Sequence, residues 1–438
     1  MKMKSLPSKT LSNIESILIL ISFGSIAIID SINGFIIRNF DTIVSLGQIY
    51  RILLIIFMLY LITKFRQFRI IPILIVGYLT LIQILYFLIY HGSVHILFND
   101  LVEISKFILI IFIIEAFKAL RIHEKNFKRL LRNIFLANLI LFPVSLLIPK
   151  LLGVGYSMYS NNVGNSGFFY AANDLNAVLI ILFAYGINIL FQGNLTRNKW
   201  ISFSVIVLSI AASLILLGSK SSIAFTALII FIYTIKFFKE KKKYFSRKNI
   251  VLSLTGIVVL MAAAGIVFND DINKSLERHS YFFEKQAKEG NVISFIVTGR
   301  DEFLSASYQA YVNADLKFLR FWLGVGSDTH AKETAAYFSD DRDSLIIEMD
   351  IWDTLFRYGF LGVVIMYGYL LLIIYEHVRL NQNYNFNFLL CFALLLMYSS
   401  LGGHVLYSAL SGSFLALVCA GLLNPSYTFE QKKGPPLF

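Results

Sequence analysis

Apolar residues in this chain come in long runs and are not scattered. Runs of roughly 17 to 23 residues recur from residue 13 to residue 423, each long enough to cross a bilayer core as a helix. The alternating ten-residue segments of a membrane barrel are missing, so the backbone must satisfy its hydrogen bonds in lipid as helix. The pattern predicts spans over 13–30, 48–63, 70–90, 101–117, 133–150, 173–191, 201–217, 221–237, 250–268, 351–375, 386–402 and 405–423, about twelve in all. The apolar stretch from Ile201 to Ile235 is too long for one helix, and GSKSS at Gly218 to Ser222 splits it into a hairpin with a very short tip.

One long stretch departs from this pattern: Asn269 to Ile347 is polar and lies between apolar runs. The expected organisation is nine N-terminal spans in 1–268, a large, partly helical loop in 269–350 carrying the candidate chemistry, three spans in 351–423, and a short proline-bearing tail in 424–438. Two smaller segments interrupt the spans on the same side as the loop. Leu151 to Asn173 is rich in Gly, Ser, Asn and Tyr and bears no charge, and His91 to Asp100 resembles a shallow interfacial dip.

Composition sharpens the class. With 438 residues, 57% of them hydrophobic, and a mean hydropathy of +0.69, the chain is excluded from ordinary soluble proteins and fits an all-α polytopic membrane protein. The first run, Ile14 to Ile29, has no small-residue cleavage site and more spans follow it, so it is expected to be a retained helix. Cys391 and Cys419 lie in apolar runs and suggest neither a disulfide nor a metal site. The net charge of +12 raises the question of nucleic acid, and its distribution answers it. With the N-terminus inside, most of the 39 Lys and Arg residues fall on one side, in loops such as Lys118 to Arg132 and KFFKEKKKYFSRK, as cytoplasmic loops require. Both termini are then cytoplasmic, the large loop is extracytoplasmic, and no nucleic-acid partner is expected.

Several residues suggest chemistry. TGRD at Thr298 to Asp301 has the form of a helix N-cap, with helical spacing continuing to Trp322, and Arg300 at such a helix start suits a phosphate held by two parallel hydrogen bonds. Lys220 is a cation at interface depth on the hairpin tip, either functional or a snorkelling anchor. Glu348 stands at the membrane mouth as a candidate general base. Asp350, Asp353 and Arg357 share one helix face, with Asp353 and Arg357 spaced as a structural ion pair. Gly324 and Gly326 offer backbone amides to an anion, or simply make turns. Asn173, Asp174 and Asn176 start a span, lining a sugar pocket or capping the helix. Tyr156 and Tyr159 are sugar-stacking platforms or interfacial anchors. His330 has no partner at metal-ligand spacing and is expected at the surface. The E-x-D pair at Glu348 and Asp350 alone is too short a motif for a metal site, and no metal or other cofactor is expected.

Taken together, YAANDLNAVLI, LLGSKSSIAF, TGRDEF, FWLGVGSD and IEMDIWDTLFRYGFLG resemble the O-antigen ligase and Wzy-type polysaccharide polymerase superfamily, in a form similar to exopolysaccharide or capsule polymerases, from about residue 165 to 375. The resemblance implies a twelve-span GT-C-like fold in the cytoplasmic membrane of a bacterium. It implies transfer of a glycan from an undecaprenyl diphosphate carrier to an acceptor hydroxyl, generally without metal. In the ligase branch an arginine follows the serine of the hairpin tip, where this chain has Lys220, and a loop arginine corresponds to Arg300. A histidine stands eleven residues before the glycine of a G-x-x-G turn, and counting back from Gly359 gives Glu348. The loop 151–173 lacks the arginines that some polymerases place there, so a second arginine-bearing capture loop is not expected.

The resulting expectation is a polymerase joining lipid-linked repeat units by inverting transfer. Lys220 and Arg300 hold the donor diphosphate, Glu348 takes the proton, and Asn173, Asp174, Gly324, Gly326, Asp350, Tyr156 and Tyr159 bind substrate. Its partners would be the lipid-linked donor and acceptor, membrane lipid, a flippase and a chain-length regulator. The alternatives are a ligase moving glycan to a protein, wall or lipid acceptor, and a lipid-linked-oligosaccharide flippase, which would be expected to place charges mid-membrane along a central cavity.

Overall fold

The computed structural model describes residues 11–423 apart from 41–44, 66–68, 90–92, 124–125, 160–162, 192–195, 241–268, 289–293, 295–296, 298, 339–342 and 381–384. The expected span 250–268 and the tail from Asn424 lie outside the described residues. The fold is almost wholly helical. In order come α1 (Asn13–Gly24), α2 (Ile26–Asn39), α3 (Leu46–Lys64), α4 (Ile70–Ile89), α5 (Val94–His123), α6 (Phe127–Leu151), α7 (Ala172–Phe191), α8 (Arg197–Leu216) and α9 (Lys220–Glu240). A two-stranded hairpin, β1 (Tyr156–Ser157) and β2 (Asn165–Gly167), sits between α6 and α7. The polar segment supplies α10 (Asn269–Lys288), α11 (Arg300–Asn313), α12 (Lys317–Leu323) and α13 (Ser327–Ala336). α14 (Asp350–Leu380), α15 (Phe386–Leu401) and α16 (Ala409–Leu422) close the chain.

Six described helices are long and apolar enough to cross a membrane, or seven if the bent pair α1 and α2 counts as one. This is a multi-pass membrane protein. The predicted first span, 13–30, continues to Asn39 and bends by 50° at Ser25. Outward side chains on α3 and α4, such as Leu53, Ile56, Ile73 and Leu74, are aliphatic, as a surface facing lipid must be. α15 and α16 are shorter than a bilayer-crossing helix. At 14 residues α16 extends only about 21 Å, and it is apolar on every side because it is enclosed by protein, packed against α5, α7 and α15.

Three local expectations are corrected. The supposed dip before Asp100 is, from Val94 on, the opening of the continuous 30-residue helix α5. There Asp100 is buried and its Oδ1 accepts the amides of Ser327 and Asp328 at 2.7 and 2.9 Å, capping α13. The helix opened by TGRD starts after Gly299, at φ 76°, with no side-chain cap, and Thr298 lies outside the described residues. It also stops at Asn313 and resumes as α12 after Leu316, whose φ is 54°.

His330 is not at the surface. Its ring is buried and stacks on Phe356 with centroids 5.5 Å apart. Burial, reinforced by the Arg357 charge, holds its pKa down at about 3, against about 6.5 in an unfolded chain. Between those values the unfolded chain binds a proton that the native one refuses, so this stability is whole above about pH 6.5 and falls as the pH drops. Going from pH 7 to pH 5 is expected to cost about 2 kcal/mol. A melting series in detergent checks it, with His330→Gln removing this part of the slope.

Candidate active site

Lys220, Arg300 and Glu348, far apart in sequence, all line one cavity of about 2040 Å³. The GSKSS tip is held rigidly. Gly218 turns the chain at φ 65°, and the buried Asn176 of α7 donates from Nδ2 to Ser219 and Ser221 at 3.1 and 2.9 Å and accepts from Ser222 at 2.9 Å. Asn176 thus neither caps its helix nor lines the cavity. It fixes Lys220 as the first residue of α9, at the cavity wall.

Arg300 opens α11. Its Nη2 donates to Glu348 Oε2 at 2.5 Å and its Nη1 to the Val297 carbonyl at 3.4 Å, while Nε has no partner among the described residues. Gly402 packs on the guanidinium so closely that an added Cβ would stand 2.9 Å from Nη1. Glu348 has a left-handed backbone, φ 61°, which costs a non-glycine residue energy and persists only where its surroundings impose it. Here Asp353 imposes it, accepting the amides of Ile347 and Met349 on either side at 3.3 and 3.1 Å. Asp353 is held in turn by Arg357, 3.0 Å away and equally buried, so the predicted ion pair is structural. Asn173 completes the group, donating to Glu348 Oε2 at 3.2 Å.

Asp174 and Tyr159 also line the cavity, but Asp350, Gly324, Gly326 and Tyr156 are not among its lining residues. Asp350 is fully buried and its carboxylate accepts the amides of Val405 and Leu406 at 2.8 and 2.9 Å. The Gly324 amide donates to the Arg320 carbonyl and that of Gly326 to the Arg357 carbonyl, so neither is left for an anion. Gly324 serves a close backbone approach instead, since a Cβ there would strike the backbone of Arg357 and Tyr358, and a Cβ on Gly326 would strike the Asp100 carboxylate.

Sequence reasoning missed two residues of the polar segment. α10 brings Arg278 and His279 to the cavity wall, where His279 Nε2 lies 3.0 Å from the Gly218 carbonyl. Burial holds the His279 imidazole below its ordinary value, and the charges of Lys220 and Arg278 push the same way. A polar helix with one Arg-His pair carries no signal of this; only the tertiary contact with the tip does. Arg278 also stands over the Tyr159 ring at 3.3 Å, and Arg38 of α2 over Tyr156 at 4.5 Å. The uncharged loop 151–173 therefore meets arginines after all, supplied by other elements.

The cavity wall carries charges of both signs. Lys220, Arg278 and Arg300 gather with His279 and Tyr159 around Glu348, whereas Asp30, Asp174 and Glu103, with the cations Arg38, Arg51 and Lys106, line the part formed by α2, α3, α5 and α7. A family model described as O-antigen ligase like membrane protein matches residues 14–290 and 269–425. The chain belongs to this family. Lys220, Arg278, Arg300 and Glu348 all fall within the matched residues, and membership makes the protein a glycan-transferring membrane enzyme. No curated protein matches the chain.

Proposed function

We propose that the protein is a polysaccharide polymerase that joins undecaprenyl-diphosphate-linked oligosaccharide repeat units on the outer face of the cytoplasmic membrane. The observation that carries this reading is the convergence of Lys220, Arg278 and Arg300 on one side of a cavity large enough for two glycan ends. A donor diphosphate needs such a group. Bound there, it meets cations already in place for the charge that grows on the leaving oxygen, and such preorganised charge usually lowers the barrier more than any other single effect.

The acceptor hydroxyl attacks the anomeric carbon from the face opposite the diphosphate, which inverts that centre. Without substrate, Glu348 and Arg300 neutralise each other at 2.5 Å. The incoming diphosphate competes for the guanidinium, and Glu348 acts as the placeholder that keeps Arg300 aimed at the cavity. That role differs from the base expected of Glu348, because its Oε2 already receives both Arg300 and Asn173. Tyr159, under the Arg278 guanidinium, is placed to border the first sugar of the donor.

The test is purified protein with lipid-linked repeat units. A ladder of products supports the polymerase, a single transfer to a different acceptor points to a ligase, and no transfer overturns the reading. Arg278→Ala is expected to weaken donor binding about tenfold or more, the loss of one charge-assisted contact. Equilibrium binding of a fluorescent lipid-linked donor measures it.

A further inference from the structure

The loop between α15 and α16 brings His404 to the same cavity and against Asp350, the buried first residue of α14, a pairing that no spacing along the chain signals. His404 lines the cavity, and its Nδ1 lies 3.3 Å from Asp350 Oδ1. Asp350 cannot swing away, because its other oxygen accepts the amides of Val405 and Leu406. A carboxylate oxygen only accepts, so in the neutral ring the proton sits on Nδ1 and Nε2 keeps a lone pair. That Nε2 is buried and has no hydrogen-bond partner among the described residues. His404 also lies close to the reacting region, two residues beyond the Gly402 that packs on Arg300.

We infer that His404 is a further catalytic residue, the general base that takes the proton of the acceptor hydroxyl, with Asp350 as the positioning residue that fixes its tautomer. The inference rests on the transferase reading above. As the acceptor oxygen bonds to the anomeric carbon, the bond from that carbon to the diphosphate oxygen breaks. The electron pair leaves on the diphosphate, which the cations hold, and the proton passes to Nε2 and later to water. Division of labour follows from the partners in the substrate-free site: Oε2 of Glu348 is shared by Arg300 and Asn173, whereas the Nε2 of His404 has no hydrogen-bond partner among the described residues.

The charged and titratable groups around the ring are Asp350, Asp353 and Arg357 of α14, Asp174 of α7, and Tyr407 of its own loop. Burial pushes the imidazole down, but the Asp350 hydrogen bond and the charges of Asp353 and Asp350 outweigh it against the opposing Arg357, so the ring titrates above its ordinary value. A base with a pKa near the working pH is the most effective kind.

The experiment measures kcat/KM against pH for the full-length protein with lipid-linked donor and acceptor. Wild type is expected to lose activity on the acid side with a midpoint above about 6.5, in the imidazole range. His404→Gln is expected to lose about a hundredfold or more in kcat and to lose that limb, while binding fluorescent donor within about threefold of wild type. Glu348→Gln is expected to be slower but to keep the limb. A wild-type limb in the carboxylate range near about 4 to 5, a limb that persists in His404→Gln, or one that disappears in Glu348→Gln would overturn the assignment while leaving the polymerase intact. If His404→Gln does not fold, the wild-type and Glu348→Gln profiles decide alone. Wild type that neither binds donor nor forms product overturns the transferase reading and this assignment with it.

Discussion

Arg300→Ala is expected to reduce polymer formation by about a hundredfold or more, the scale of losing one preorganised donor to a developing negative charge. Three features of the site make the loss large. The guanidinium is buried, its position is set by Gly299, Glu348 and Gly402, and its Nε is uncommitted among the described residues. Removing it also leaves Glu348 in the cavity without its counter-charge, where it repels the donor diphosphate. Arg300→Lys separates charge from shape. It keeps the cation but loses the planar fork, so an intermediate rate is expected. Product ladders at equal expression and equal membrane insertion measure both, and near-normal polymer from Arg300→Ala would remove Arg300 from the mechanism.

The largest effect on stability is expected from Arg357→Met. Arg357 is one of the largest fully buried side chains, 3.0 Å from Asp353 and 3.9 Å from Glu103. Losing it strands Asp353 as an unpaired charge in the interior, and breaking such a pair costs about 3–5 kcal/mol. The usual rescue, making both partners apolar, should fail here, because Asp353 also accepts the Ile347 and Met349 amides and its loss would leave those donors unsatisfied. The same clamp sets the left-handed backbone of Glu348, so Arg357→Met is expected to lose activity along with stability. Thermal unfolding in detergent, read beside donor binding, checks it. A melting curve like that of wild type would show that the pair contributes little.

Individual elements show how far the sequence could be read. The GSKSS hairpin was legible because polar residues and a glycine interrupt an apolar run too long for one helix, and Lys220 followed from it. Asp353 and Arg357 were legible because a four-residue spacing on a helix is a distance. Arg278 was not, because α10 reads like any polar helix and its meaning comes from contact with a tip some sixty residues earlier. The GVG glycines misled in the opposite way: a turn that offers amides to an anion and one that lets two backbones touch have the same letters.

By itself the sequence determined that this is a helical multi-pass membrane protein with one long polar segment, since apolar run length and the cost of unpaired backbone in lipid leave no other solution. It also determined which cations and carboxylates were worth watching. Tertiary structure alone decided what meets: Lys220, Arg300 and Glu348 on one cavity with Arg278, which the sequence did not single out, Asp350 turned inward to hold His404, and Asp100 used up as a cap. The reason is physical. Periodicity encodes which face of a helix is apolar, but a site assembled from the ends of several helices depends on how those helices pack, and packing is long-range.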